Sequence, residues 1–378
     1  MNLIARDRCV ITHKEDLEPL YSFKNFPVFM GCTRQDSEKD LCADMNWWIS
    51  RESGMIQLNK LLPLNVLYPE SHGAGCVGKL WLQHHMSFAS FVHKTSPLSV
   101  FEIGGAHGIL AKEYQVFGDL PWTILEPNPT PVEGNRARFI KGFFDDSFIY
   151  KDSFDTVVHS HLLEHIYEPD EFMSRLSLFI EEGKRLIFSL PNMQVMLDRK
   201  YTNCINFEHT VFMSEPYIEF MLAKHGFRLL SREYFMDDHS IFYATIRDSS
   251  VKPISLPTNL YNRNKELYIN YVHYHEKLIE SLNKRTKELE SPIYLFGAHV
   301  FSQYLIAFGL DTSRIVSLLD NDLHKQGQRL YGTNLMVNSP LVLKNIQNPH
   351  IILKAGVYNH EVKSYITDQI NSSAVFLE

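Results

Sequence analysis

The sequence predicts a mixed α/β protein: two mostly parallel, helix-covered sheets in series behind a small irregular N-terminal cap. Two runs of alternating strand and helix signals carry this expectation. They are separated by the proline-containing stretch RDSSVKPISLPTN at 247–259, which reads as a linker. Apolar runs of strand length between helical patterns indicate strands buried on both faces. A chain of 378 residues is also too long for one ordinary core.

Taken in order, residues 1–70 form the cap, with short apolar groups at Tyr21 to Val28 and Trp47 to Ile49 between polar segments. From Gly78 to Val92, the spacing of Leu80, Leu82, Met86, Phe88 and Phe91 predicts a helix leading into the first strand. LSVFEI, WTILEP, RFIKGFF, FDTVVHSH and KRLIFSLP are the next strands. FRLLSREYF and SIFYATIR follow so closely on each other that they predict an antiparallel pair closing the sheet. This central domain is expected over 71–250. Beyond the linker, Leu267, Tyr271, Tyr274, Leu278 and Leu282 mark one stripe of a long helix. SPIYLFGAH, RIVSLLDND and HIILKAG are strands, with HVFSQYLIAFGL a helix between the first two, giving a third domain over 260–378.

Composition narrows the function classes. A net charge of -7 argues against a general nucleic-acid binder, which needs clustered Lys and Arg for phosphate contact. No apolar run suits a signal peptide or membrane span, so a cytoplasmic protein is expected. Five scattered cysteines fit reduced thiols better than a disulfide framework.

The stretch VFEIGGAHGILAKEY at 100–114 reads as strand, glycine turn and helix start. A dinucleotide fingerprint needs GxGxxG, but its third and sixth positions counted from Gly104 are Ala106 and Ile109. The stretch fits ExGxxxG instead, with Glu102 at the strand end, Gly104, Gly105 and Ala106 in the turn, and Gly108 opening the helix. That spacing resembles the S-adenosylmethionine (SAM) loop of class I methyltransferases. SAM has no phosphate, so small residues need only let backbone pass close to its methionine and ribose. Eighteen residues beyond Gly108, Glu126 ends the second strand, where an acid can accept from both ribose hydroxyls. HSHLLEHIYEPDEF at 159–172 and LIFSLPN at 186–192 resemble the fourth-strand end and fifth strand of the same superfamily. In GFFDDS, Phe143 or Phe144 is placed to stack on adenine and Asp145 to accept from its amine. Core packing is the other reading of either Phe. His159 and His161 count as pocket residues. With His165 they lack the HExxH order, so no metal is expected from them.

Over its whole length the chain resembles the sugar C-methyltransferase family, which has an N-terminal zinc-binding piece, a central SAM domain and a C-terminal Rossmann-like domain. The C-terminal part carries this resemblance in YLFGAHVFSQYLIAFGL, SLLDNDLHKQGQRLYGTNLMVNSP and LKAGVYNHEV. These contain the Gly297-Ala298 turn, Asp320, and the Lys325-Gln326-Gly327 segment. It implies a nucleotide-linked sugar as methyl acceptor, with the third domain helping to hold the nucleotide end. In NFEHT at 206–210, Glu208 and His209 match a Glu-His pair of the family. Histidine suits proton abstraction because its ordinary pKa is about 6.5, and Glu208 would orient it or bind a sugar hydroxyl. Asn206 stands where the family carries tyrosine, which removes a phenol able to stabilise an enolate.

Other departures lie in the cap. Where the family has two CxxC pairs, this chain has Cys9 with Thr12 and Ser50 with Ser53. One thiol of four cannot hold zinc. A rearranged set of Cys9, His13, Cys32 and Cys42 matches no common spacing. Tyr68 and His72 in YPESHGAG resemble the tyrosine loop over the family's sugar pocket and are further catalytic candidates. Asp237 and Asp238 read as solvated acids. The expected function is therefore SAM-dependent methylation of a nucleotide-linked sugar in polysaccharide biosynthesis. O-methylation of a sugar and non-catalytic nucleotide-sugar binding are the alternatives.

Overall fold

The computed structural model describes residues 2–67 and 78–378. Candidates Tyr68 and His72 lie outside the described residues.

The N-terminal region is not irregular, contrary to expectation. Strands β1 (Leu17–Pro27), β2 (Cys42–Ser50) and β3 (Ile56–Leu58) form an antiparallel sheet in that order. Met45, Trp47 and Ile49 alternate inward along β2, joined by Phe23 and Phe26 of β1 in a buried core. Period two was obscured by Trp48 beside Trp47 and by two register shifts in the β1–β2 pairing.

The turns that carry Cys9 and Ser53 face each other. Cys9 Sγ lies 3.1 Å from Ser53 Oγ, Ser50 Oγ accepts from the Ser53 amide at 3.1 Å, and Tyr217 Oη donates to the Ser53 carbonyl at 2.9 Å. Hydroxyls and one thiol thus join the turns by hydrogen bonds. The rearranged set is not assembled: His13 meets Asp170, Cys32 Sγ faces the Ala298 carbonyl, and Cys42 opens β2. Burial also pushes the Cys32 thiol up to about 12, away from the thiolate that a metal takes.

Helix α1 (Lys79–Lys94) precedes the central sheet. Its inward face is His84, Phe88, Ala89, Phe91 and Val92, whereas Leu82 and Met86 are exposed. The sheet then takes β4 (Val100–Ile103), α2 (Ile109–Tyr114), β5 (Trp122–Glu126), β6 (Arg138–Lys141) and β7 (Thr156–Ser160). It continues with α3 (Pro169–Phe179), β8 (Arg185–Pro191), α4 (Met193–Asp198), α5 (Glu215–Lys224), β9 (Phe227–Phe235) and β10 (Ser240–Arg247). Strand order is β9-β10-β8-β7-β4-β5-β6. Only β10 runs antiparallel to its neighbours β8 and β9. This is a Rossmann-like fold. The chain leaves β4 and β7 in opposite directions across the sheet, which opens a crevice at their carboxyl ends, the usual ligand position in such sheets.

Helix α6 (Leu260–Glu288) leads into a five-stranded parallel sheet. Its buried stripe runs through Tyr268, Tyr271, Val272, His275, Ile279 and Leu282, so Tyr274 is more exposed than its spacing suggested. Strands β11 (Ile293–Phe296), β12 (Ile315–Leu319), β13 (Val337–Asn338), β14 (His350–Leu353) and β15 (Val375–Leu377) lie in the order β13-β12-β11-β14-β15. Helices α7 (Val300–Ala307) and α8 (Asn359–Gln369) complete the unit. Asp320 accepts from the Ala298 amide at 2.9 Å and lies 3.1 Å from Lys325 Nζ, so the three C-terminal motifs meet in space.

Polar ties hold the cap to both larger units. Arg329 forms a two-pronged bond with Asp40 at 2.6 and 2.7 Å. Asp170 at the start of α3 gathers His13, Lys224 and His225 at 2.7–2.8 Å. Burial raises the Asp170 carboxyl, but hydrogen bonds from His225, His13 and Lys224 outweigh it and hold the group well below the ordinary carboxylate range. Its folded pKa lies below its unfolded one, so its contribution is present above about pH 4 and is lost as pH falls. We predict that Asp170→Asn costs about 2 kcal/mol in urea unfolding at pH 7. The gap from the parent should narrow as pH drops below about 4, and a constant gap would contradict the assignment.

Candidate active site

The glycine turn after β4 is shaped by close backbone approach. Gly108 sits at φ +72°, and a Cβ there would fall 2.0 Å from Asn135 Nδ2 and 2.8 Å from the Phe139 ring. At Gly105 a Cβ would lie 2.7 Å from Ile124 Cγ2 and 2.8 Å from Glu102 Cδ. Glu126, at the end of β5, accepts from the Ala106 amide at 3.0 Å and the Asn128 amide at 3.1 Å. Turn and acid are thus one hydrogen-bonded unit.

Glu102, expected among the cofactor ligands, does not line the crevice. It is buried beneath Gly105, where its carboxylate accepts from Trp122 Nε1 at 2.7 Å, and burial pushes its pKa up to about 7. Its place inside the strand explains this: the side chain braces the turn from behind.

A cavity of about 330 Å³ opens beside the turn, lined by Gly104, Leu125, Pro127, Phe143, Phe144, Asp145, Leu162, Ile166 and Phe172 among others. That volume is at the lower end of the small-molecule range. Glu126 lies between two of its lining residues. The two phenylalanines differ: Phe143 is 62% exposed, whereas Phe144 packs edge-on against Phe172 and Phe179. Phe143 is therefore the ring free to cover a bound base. The Asp145 carboxylate accepts from the Ser147 amide and hydroxyl, which holds it below its ordinary range. Sequence reasoning missed Leu162, Ile166, Glu171 and Arg175 on the far wall, because ordinary helix-start residues carry no spacing signal.

His159 does not line this cavity. It is fully buried on β7, stacked on Phe188 and edge-on to Phe172, and burial pushes its pKa down to about 3. Its position inside the strand, two residues before the chain turns, sends it into the core. His161 follows the strand, with φ +47°, and also stands apart from the cavity lining. Its Nδ1 lies 3.1 Å from Glu164 Oε1 and its Nε2 2.8 Å from Ser240 Oγ.

Between cavity-lining Leu162 and Ile166, the short helix Leu163–His165 presents Glu164 and His165 to the turn carrying Glu208 and His209. The rings of His165 and His209 meet edge-on at 4.7 Å. One ligand atom from each of Glu164, His165 and His209 falls within 4.8 Å of the others. Burial raises the Glu164 carboxyl, but the imidazoles of His161, His165 and His209 outweigh it and hold it at about 2. Burial and the neighbouring His209 push His165 down to about 4.

Asn206 shapes the opposing turn. Its Oδ1 accepts from the amides of Glu208 and His209 at 2.8 and 3.0 Å, and its own amide donates to the His209 carbonyl at 3.1 Å. His209 Nδ1 lies 3.0 Å from the Cys204 carbonyl. A carbonyl accepts only from N–H, so the proton sits on Nδ1 and Nε2 carries the lone pair.

Asp238 was expected to be solvated and is not. It is 7% exposed, bonded by Tyr201 Oη at 2.7 Å and paired with Arg199, which also holds the exposed Asp237. The pair fastens the start of β10 to the segment after α4.

Residues 81–232 match a methyltransferase-domain family. Similar solved structures include a magnesium protoporphyrin IX methyltransferase from Synechocystis PCC 6803 with bound S-adenosylhomocysteine. It shows 18% identity and a TM-score of 0.36, with 47% of this chain and 90% of that chain covered. A SAM-dependent methyltransferase from Mesorhizobium loti shows 10% identity and a TM-score of 0.36, covering 43% and 96%. A 1,6-didemethyltoxoflavin-N1-methyltransferase from Burkholderia thailandensis shows 12% identity and a TM-score of 0.35, covering 44% and 78%. No curated protein matches the chain. Residues 81–232 therefore carry a methyltransferase domain. No helix among the described residues is long and apolar enough to cross a membrane.

Proposed function

We propose that the chain methylates a nucleotide-linked sugar, with His209 as base. The observation that carries this reading is the Glu164–His165–His209 group, with Glu164 buried and both histidines half-buried beside the cavity-lining Leu162 and Ile166, and with the lone pair of His209 on Nε2.

The residues fit SAM. The turn at Gly105 and Gly108 leaves no room for a Cβ, Glu126 offers carboxylate oxygens at the end of β5, and Phe143 and Asp145 suit an adenine. When bound, SAM supplies an electrophilic methyl group. The chain's part is to hold the acceptor in line and take its proton, since alignment and general-base help carry much of such a rate gain. His209 accepts that proton at Nε2, the Cys204 carbonyl fixes the ring, and the Glu164 carboxylate stabilises the resulting imidazolium.

The sugar rests on the family resemblance of the C-terminal motifs; Gly297-Ala298, Asp320 and Lys325 meet there and would hold the nucleotide end. Within this class, oxygen is favoured over carbon as acceptor. Asn206 is occupied with capping its own turn and offers no phenol to an enolate. The test is methyl transfer from isotopically labelled SAM to a panel of nucleotide sugars, read by mass spectrometry. Label that survives on an oxygen of the sugar is expected. Label on none of the panel, with SAM binding intact, would defeat the sugar assignment.

A further inference from the structure

We propose that His84, His161 and His239 bind one divalent ion of the zinc class. This inference is independent of the sugar reading. The three residues come from α1, from the turn leaving β7 and from the residue before β10. One nitrogen from each lies within 4.8 Å of the other two. Their ring centroids are 4.9, 5.4 and 6.1 Å apart. Imidazoles on a tetrahedral zinc, with Zn–N of about 2.0–2.1 Å, have centroids roughly 5 Å apart. Only a small contraction separates the two arrangements.

Packing alone does not explain the cluster. His84 is 0% exposed, and neither of its ring nitrogens has a hydrogen-bond partner among the described residues. Burying such a group unmet costs about 1–3 kcal/mol, which phenylalanine at the same place would avoid. A cation on the lone-pair nitrogen would satisfy that atom and so offset part of the cost.

His161 already has the outer partner of a metal-bound histidine. Glu164 Oε1 lies 3.1 Å from its Nδ1, the position of the carboxylate that favours a proton on that nitrogen and a lone pair on Nε2. Nε2 and His239 Nδ1 both face Ser240 Oγ, at 2.8 and 2.6 Å. Trp81 closes one side, with its ring centroid 5.3, 4.9 and 5.1 Å from the three imidazoles. Imidazole donors suit zinc, cobalt, nickel and copper rather than magnesium or calcium.

The test uses the tag-free full chain, stripped of metal and titrated with Co²⁺ alone, then loaded with Zn²⁺ for X-ray absorption at the zinc edge. One Co²⁺ per chain with the visible bands of a four-coordinate site is expected, together with three imidazole nitrogens around zinc. His84→Gln and His239→Gln should each weaken binding by roughly 100-fold or more, while His209→Gln leaves it unchanged. A parent that binds no Co²⁺ overturns the proposal. So does a zinc shell of two imidazoles and a carboxylate, which would move the ion to Glu164, His165 and His209. The spectra of the parent decide the matter even if a variant fails to fold.

Discussion

His209→Ala should lower the rate of methyl transfer by about 10²–10⁴-fold while leaving SAM affinity unchanged, the ordinary effect of removing a positioned base. The ring stands outside the cavity lined by Gly104 and Phe143, so cofactor binding has no reason to change. His209→Gln keeps a polar side chain in the same turn and separates chemistry from folding. Its kcat should fall like that of the alanine variant, with KM for the acceptor within a few-fold of the parent. A normal kcat in either variant would remove His209 from the mechanism. Because Nδ1 is committed to the Cys204 carbonyl, only Nε2 is available as base.

Glu126→Ala should weaken SAM binding by roughly 10–100-fold in calorimetry, from the loss of charge-assisted hydrogen bonds worth about 1.5–3 kcal/mol. Two effects add here. The carboxylate is lost to the ligand, and the amides of Ala106 and Asn128 lose their present acceptor, which loosens the turn. Glu126→Gln keeps an acceptor for one amide and should fall between the parent and Glu126→Ala. An unchanged affinity in both variants would show that the acid shapes the loop without touching the cofactor.

The central sheet was legible because its strands are continuous apolar runs, and the glycine turn because the backbone conformation there restricts the sequence. Glu102 shows the limit of spacing. The motif places it correctly at the strand end, but only packing reveals that Trp122 claims its carboxylate. His84 and His239 carried no spacing signal: one lies on helix α1 beside Gln83 and His85, the other follows Asp238 before β10, and only the folded packing brings them to His161. In the cap, a clear alternation at Met45, Trp47 and Ile49 went unread because Trp48 filled the intervening position.

The segment before His209 is gripped from three sides. Phe207 packs on Phe26 of the N-terminal sheet, Tyr304 of α7 donates to the Ile205 carbonyl at 2.5 Å, and Cys204 Sγ faces the Met193 carbonyl at 3.3 Å. The proposed base is therefore a keystone: no single unit owns its position. An excised central domain would retain its cofactor crevice but lose the two abutments that set the angle of the imidazole. Evolution of a new acceptor in this architecture can accordingly proceed from outside, by shifts of the cap or the C-terminal sheet that re-aim His209 without altering a residue of the SAM fold.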